Sequence, residues 1–264
     1  MSAARAHAAL FAALLGAAPL AHAGRSCETH PPTAASVERG MALAEKVAKR
    51  LDETGADVVL LARVGQDLSR YGQHYSHMAF AYREADHGVT RWRVVHKLNQ
   101  CGSAEGSVYR QGLGEFFNDD PFDYEAGIVV LAPEVQKRLR PELGDNQRVV
   151  QLHTAAYSVV AYAWAQKYQQ SSQWALETLA MTQDPAASTR ERAQAWLKMH
   201  DYQPATLRLD ALTRLGARMT KANVAFDDHP NEKRFSDRIE TVTVDSAFAW
   251  LQRTGLGSAT IVVR

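Results

Sequence analysis

Apolar residues follow two rhythms along this chain. Between Val37 and Leu51, Met41, Ala44, Ala48 and Leu51 recur at helical spacing and Gly55 follows, which predicts a helix and its stop. Asp57–Val64 (DVVLLARV) is instead a nearly unbroken apolar run of strand length, the pattern of a strand buried on both faces. Gly65–Gly72 reads as a polar loop. Tyr75–Tyr82 and Arg91–Leu98 read as two further strands, and the turn-rich segment Glu84–Gly88 between them fits a hairpin. Glycines and Asn118-Asp119-Asp120-Pro121 mark a long irregular stretch before a short strand at Gly127–Leu131.

The second half reads as mostly helical. Tyr157, Val160, Ala161, Trp164 and Tyr168 recur at helical spacing, as do Trp174, Leu179 and Ala180. A helix over Ser188–Met199 starts at a serine cap and carries Ala193, Trp196 and Leu197 on one side. Glu240–Val244 alternates like a strand, and Asp245 caps a last helix to Arg253, ended by Gly255. No repeat, low-complexity linker or sharp change of composition interrupts the chain after its first residues. The expectation is an α+β protein: a single compact domain over 24–264, with an antiparallel sheet packed by helices.

Residues 1–23 stand outside that pattern. Arg5 is the only charge before Arg25, Ala8–Ala18 is small and apolar, and Ala21-His22-Ala23 has the small-x-small form of a signal-peptidase site. The run is too short for a permanent membrane span, which needs about 20 apolar residues. A buried N-terminal helix is the competing reading, and it does not explain the cleavage-site pattern. Cys27 follows Gly24-Arg25-Ser26, and the arginine beside it does not suit a lipoprotein acceptor. The expected destination is therefore the periplasm or the exterior, with no transmembrane segment after cleavage. Residues up to Ser36, Pro31-Pro32 included, read as extended.

Export changes what the cysteines mean. In an oxidising compartment Cys27 and Cys101 are the one possible intramolecular pair. Their bridge would close a loop of roughly 75 residues and stabilise by a few kcal/mol in the chain-entropy picture. The other reading makes Cys101 a nucleophile, although a lone exported thiol tends to oxidise.

Composition narrows the function classes. Hydrophobic residues make up 46% and charged residues 22%, enough apolar material for a core and too much for a disordered chain. Lys and Arg number 30 against 29 Asp and Glu, so the net charge gives no reason to expect nucleic acid or an anionic membrane as a partner. There is no glycine-rich phosphate loop, no HExxH helix, no GxSxG elbow and no paired-cysteine site, so neither metal nor cofactor is expected. Asp227-Asp228-His229-Pro230 has the residue types of a metal site without a second cluster, and reads as a capped turn. Asn118-Asp119-Asp120 reads as an Asx turn, with calcium the alternative. Arg138, Arg140 and Arg148 read as a solvated basic face.

Candidate chemistry starts with the strand YSHMAFAY. Alternation puts His77, Ala79 and Ala81 on one face, small enough for a helix to pack closely, and Met78, Phe80 and Tyr82 on the other. Trp92, Val94 and His96 share a face of the next strand, so a hairpin would let His96 approach His77 and fix its tautomer. Ser171 and Ser172 lie at a polar break before an apolar helix, where free N–H groups stabilise an anion. The simpler reading is that both serines only cap that helix.

The stretches YSHMAFAYR, WRVVHKLNQCG, YQQSSQWALETLA and FDDHP resemble a family of uncharacterised exported bacterial proteins, the domain-of-unknown-function family numbered 2145. That resemblance covers nearly the whole mature chain, and the family in turn resembles, remotely, the circularly permuted papain-like amidases, among them cell-wall peptidases and lecithin:retinol acyltransferase-like enzymes. The resemblance implies a permuted papain-like fold with His77 as base, His96 as orienting residue and Ser171 as nucleophile. Gln170, Ser172 and Trp92 would bind the oxyanion or substrate. Serine replaces the cysteine of that pattern, so Ser171 would need His77 to take its proton during attack. Two expectations follow. One is an amide or ester hydrolase. The other is an inactive binding or accessory protein whose cleft takes a small molecule, a peptide, or a cell-wall or lipid ligand.

Overall fold

The run Val58–Val64 forms β1, and all seven of its residues are buried, as a strand covered on both faces must be. The computed structural model describes residues 32–264 except His87 and Asp120, so the segment 1–23 read as a signal peptide and Cys27 lie outside the described residues. β1 lies inside a six-stranded sheet of order β4-β3-β2-β1-β5-β8, with every pairing antiparallel. The other strands are β2 (His77–Asp86), β3 (Val89–Asn99), β4 (Gly106–Gly112), β5 (Asp123–Val130) and β8 (Ile261–Val263). β2 and β3 form the expected hairpin. Its connection is shorter than the Glu84–Gly88 segment suggested, since Glu84, Ala85 and Asp86 belong to β2 and Asp86 pairs with Val89; Gly88 takes a positive φ of +79°, which glycine adopts without strain.

Alternation along the strands divides the interior into two layers. Met78, Phe80 and Tyr82 of β2 join Val58, Leu60 and Ala62 of β1 in one core. That side is covered by α3 (Pro133–Gly144), α4 (Ser171–Gln183), α5 (Arg190–Met199) and α8 (Val244–Thr254). Ala79 and Ala81 join Val59, Leu61, Trp92 and Val94 in the other core, under α1 (Ala34–Thr54) and α2 (Leu113–Phe117). Ala79 and Ala81 share this core with α1, but α1 makes its close approach to β5 and α2 rather than to β2, where their small size had suggested a helix would pack. Beside these layers a small sheet of β6 (Ala205–Arg208) and β7 (Arg238–Thr241) carries α6 (Ala211–Thr220) and α7 (Asn231–Arg234). The described residues form one compact α+β domain.

Several expectations need correction. α1 is longer than its apolar pattern and buries Leu43, Ala44, Val47 and Leu51, leaving Met41 exposed. Gly55 ends it in the left-handed conformation as expected. β4 and α2 occupy part of the stretch read as irregular, and β5 begins at Asp123. The helix expected around Tyr157–Tyr168 does not form. Its backbone groups are satisfied at a distance: Tyr157 N–H donates to Ala104, Val159 to Asn223 and Ala163 to Glu240. These bonds replace the helical ladder, and burial rather than helical pitch explains the apolar spacing. Thr189, not Ser188, caps α5, and Thr243, not Asp245, caps α8. The Asp245 carboxylate instead accepts from the backbone N–H groups of His74 and Tyr75. Arg138, Arg140 and Arg148 are only partly a solvated face, since the Arg140 guanidinium lies 4.6 Å from the centre of the Tyr82 ring. Cys101 sits in the turn after β3 and is not a free thiol.

Candidate functional site

His77 at the start of β2 and His96 on β3 meet as the hairpin pattern suggested. Nε2 of His77 lies 2.9 Å from Nδ1 of His96, and Nε2 of His96 lies 2.9 Å from Oε1 of Gln111 on β4. With Gln111 accepting from His96 Nε2–H, the His96 Nδ1 lone pair takes the His77 N–H, so the chain holds both rings neutral in fixed tautomers. Burial and then the Arg63 guanidinium push the His96 pKa down to about 4, and the same causes hold His77 well below its ordinary value. Arg63 itself bonds to the Phe116 carbonyl and to Asp119. The Phe116 ring, from α2, lies 5.4 Å from that of His96 and closes the site on the α1–α2 side.

Ser171 does not reach this pair. It opens α4, and α4 packs on the other side of the sheet, where Trp174 meets Phe80 with ring centres 6.0 Å apart. His77 belongs to the face of Ala79 and Ala81, so the sheet separates its ring from the Ser171 hydroxyl. The Ser171 Oγ lies 3.2 Å from the Tyr157 hydroxyl and is only 5% exposed. The Ser171–His77–His96 constellation is therefore not assembled. The cap expected from the serines comes from Gln170, whose Oε1 accepts from Ser172 N–H at 2.8 Å while its amide nitrogen donates to the Val242 carbonyl. Gln170 and Ser172 are both buried, and the Gln170 side chain is spent on holding the helix.

On the Ser171 side lies a polar network that sequence reading missed. Lys97 of β3 is fully buried, and its ammonium donates to the Thr154 carbonyl at 2.5 Å and to Oε1 of Gln169 at 3.0 Å. The Gln169 amide nitrogen donates in turn to the Leu152 carbonyl and to Glu177 of α4. Glu177 is paired with Arg190 at 2.8 Å and accepts from Gln194 at 2.6 Å. Burial pushes Lys97 down to about 7, with Arg190 adding to the effect. Burial raises Glu177, and Arg190 opposes that rise. One signal pointed here: a lysine inside the apolar strand run VVHKL and a glutamate inside the apolar helix run WALETLA.

Trp92 lies elsewhere again. Its indole N–H donates to Asp52 at 2.9 Å, and the Arg83 guanidinium sits 5.1 Å from its ring centre and 3.2 Å from Asp52. Together with Ala48, Arg91 and Leu113 they line a surface groove of about 440 Å³ between α1, the β2–β3 hairpin and α2. At the far end of the chain, Asp228 accepts from the Tyr162 backbone N–H and bonds to His229, while Asp227 pairs with Lys167. These contacts tie the 226–230 turn to the irregular 157–168 segment. Among the described residues no group of three His, Cys, Asp or Glu side chains converges as a metal site would require. None of their helices is long and apolar enough to cross a membrane.

Fold and site together define a single-domain α+β protein with a two-faced sheet, a neutral histidine pair on one face and a buried ionic network on the other. The chain belongs to the family described as an uncharacterized protein conserved in bacteria (DUF2145), whose profile matches residues 50–251. Comparison with the curated proteins and with the solved structures finds no match.

Proposed function

We propose that this protein is an exported binding or accessory protein of the bacterial cell envelope that performs no serine hydrolysis and takes its ligand in the groove at Trp92. The observation that carries this reading is the burial of Ser171 on the side of the sheet opposite His77, which leaves the hydroxyl without a histidine base. The groove combines apolar surface from Ala48, Trp92 and Leu113 with the guanidinium groups of Arg83 and Arg91 and the Asp52 carboxylate that Arg83 pairs with. That mixture suits a peptide, lipid or cell-wall fragment bearing a carboxylate or phosphate. Export rests on the N-terminal signal pattern, and a Cys27–Cys101 bridge would fasten the mature N-terminus to the turn after β3. The permuted papain-like resemblance fits a hydrolase scaffold that has lost its triad.

The test is calorimetric titration of the mature protein with purified muropeptides, beside labelling by a fluorophosphonate probe. Saturable binding that survives Ser171→Ala and weakens in Arg91→Ala, with no labelling, supports the proposal. Labelling that disappears in Ser171→Ala overturns it.

A further inference from the structure

Helix α6 is packed with its apolar side outward. Asp210 caps it, accepting from Thr213 N–H at 2.8 Å, and none of its residues is buried. Its inward side consists of Thr213, Arg214 and Ala217, the half-buried positions. Arg214 pins it there, donating to the carbonyls of Arg234 and Ser236 with its guanidinium 4.6 Å from the centre of the Phe226 ring. Leu212, Leu215 and Met219 follow the i, i+3, i+7 spacing of a single stripe and are 80%, 56% and 62% exposed. Phe235, beside the carbonyls that hold Arg214, is 78% exposed. An amphipathic helix in a globular protein ordinarily buries such a stripe, and here it faces away from the domain.

Charge selects the occupant. The segment 211–221 contains Arg214, Arg218 and Lys221 and no acid, and Arg218 and Lys221 are exposed. A second copy docked by a two-fold axis would set these cations against their own equivalents, which like-charge repulsion opposes. An anionic lipid surface accepts both halves of the pattern: Leu, Met and Phe side chains enter the headgroup–acyl boundary while the basic side chains reach back to the phosphates. We infer that α6, with Phe235, is a membrane-surface docking element for anionic phospholipid. The domain would lie on the bilayer without spanning it. This inference does not depend on the Trp92 groove.

The experiment is co-sedimentation of the full mature chain with phosphatidylglycerol-containing vesicles and with pure phosphatidylcholine vesicles. The expected result is binding to the anionic vesicles alone, weakened by salt. Leu215→Asp with Met219→Asp abolishes it, and Arg218→Glu with Lys221→Glu lowers the affinity about tenfold or more. All four positions are exposed, so near-ultraviolet circular dichroism stays unchanged. Failure of the wild type to sediment with anionic vesicles overturns the inference, as does equal binding by both variants. A concentration-dependent dimer that Leu215→Asp dissociates would make the stripe a self-association surface and overturn it equally.

Discussion

The ammonium group of Lys97 meets the side-chain carbonyl of Gln169 at 3.0 Å, entirely inside the protein. Through it β3 is tied to the last irregular residues before α4, and Gln169 hands the connection on to Glu177 and Arg190. A segment that has no helix or strand of its own is thereby held by side chains. Arg190 alone donates to the carbonyls of Ala165, Gln166 and Tyr168. Buried polar groups of this kind stabilise only while every partner is in place.

Removing Glu177 tests that dependence. Glu177→Ala leaves the Arg190 guanidinium buried without its counter-charge, and the expected loss is about 3–5 kcal/mol. Guanidinium chloride unfolding of the two proteins measures it. A loss no larger than that of an exposed glutamate would show that the pair does not organise the segment.

Lys97 should leave a signature on the alkaline side. Its folded-state value of about 7 lies below the ordinary 10.5, so across that interval the unfolded chain binds a proton that the native protein has released. Stability attributable to Lys97 therefore rises with pH through the interval, by at most about 1.4 kcal/mol per pH unit. Urea unfolding at several pH values should show the wild type gaining on Lys97→Met as pH increases. A constant difference would refute the depressed value.

The histidine pair acts on the acid side with the same sign. His96 titrates near 4 in the folded protein against 6.5 ordinarily, and His77 is lowered as well. Between those values the unfolded state takes up protons that the native state refuses, so stability falls as pH drops from 6.5 toward 4. Replacing both by glutamine should flatten that decline in chemical unfolding curves. A decline of the same steepness would place the acid sensitivity elsewhere.

A close approach on β5 supplies a packing test. A Cβ at Gly127 would lie 2.6 Å from Cζ of Tyr75, whose hydroxyl is held 3.0 Å from Glu125. Gly127→Ala should cost about 1–3 kcal/mol, because the ring cannot withdraw without giving up that bond. In a double-mutant cycle with Tyr75→Ala, the combined loss in thermal unfolding should fall short of the sum. Strict additivity would disprove the clash.

Local rules carried far in this chain. The 3.6-residue rhythm and Gly55 located α1, the unbroken apolar run located β1, and the two alternating segments with a glycine turn located the β2–β3 hairpin. The approach of His77 to His96 was legible for the same reason, since hairpin register follows from alternation and turn length. β4 was not legible, because it is an edge strand with little buried apolar surface to mark it. The 157–168 segment imitated a helix because tertiary burial spaced its apolar residues at a helix-like interval.

What the chain determines alone is thus its local periodicity, its turns and the pairing of two histidines on neighbouring strands. Which helix covers which face was decided only by the tertiary structure. Both sides of the sheet are apolar, so the alternation of β2 reads equally well with α4 against Ala79 and Ala81 or against Met78 and Phe80. The large side chain of Trp174 packs against Phe80, while the small alanines lie in the core shared with α1 and α2. That choice of face, a matter of shape between segments distant in sequence, set Ser171 and His77 apart.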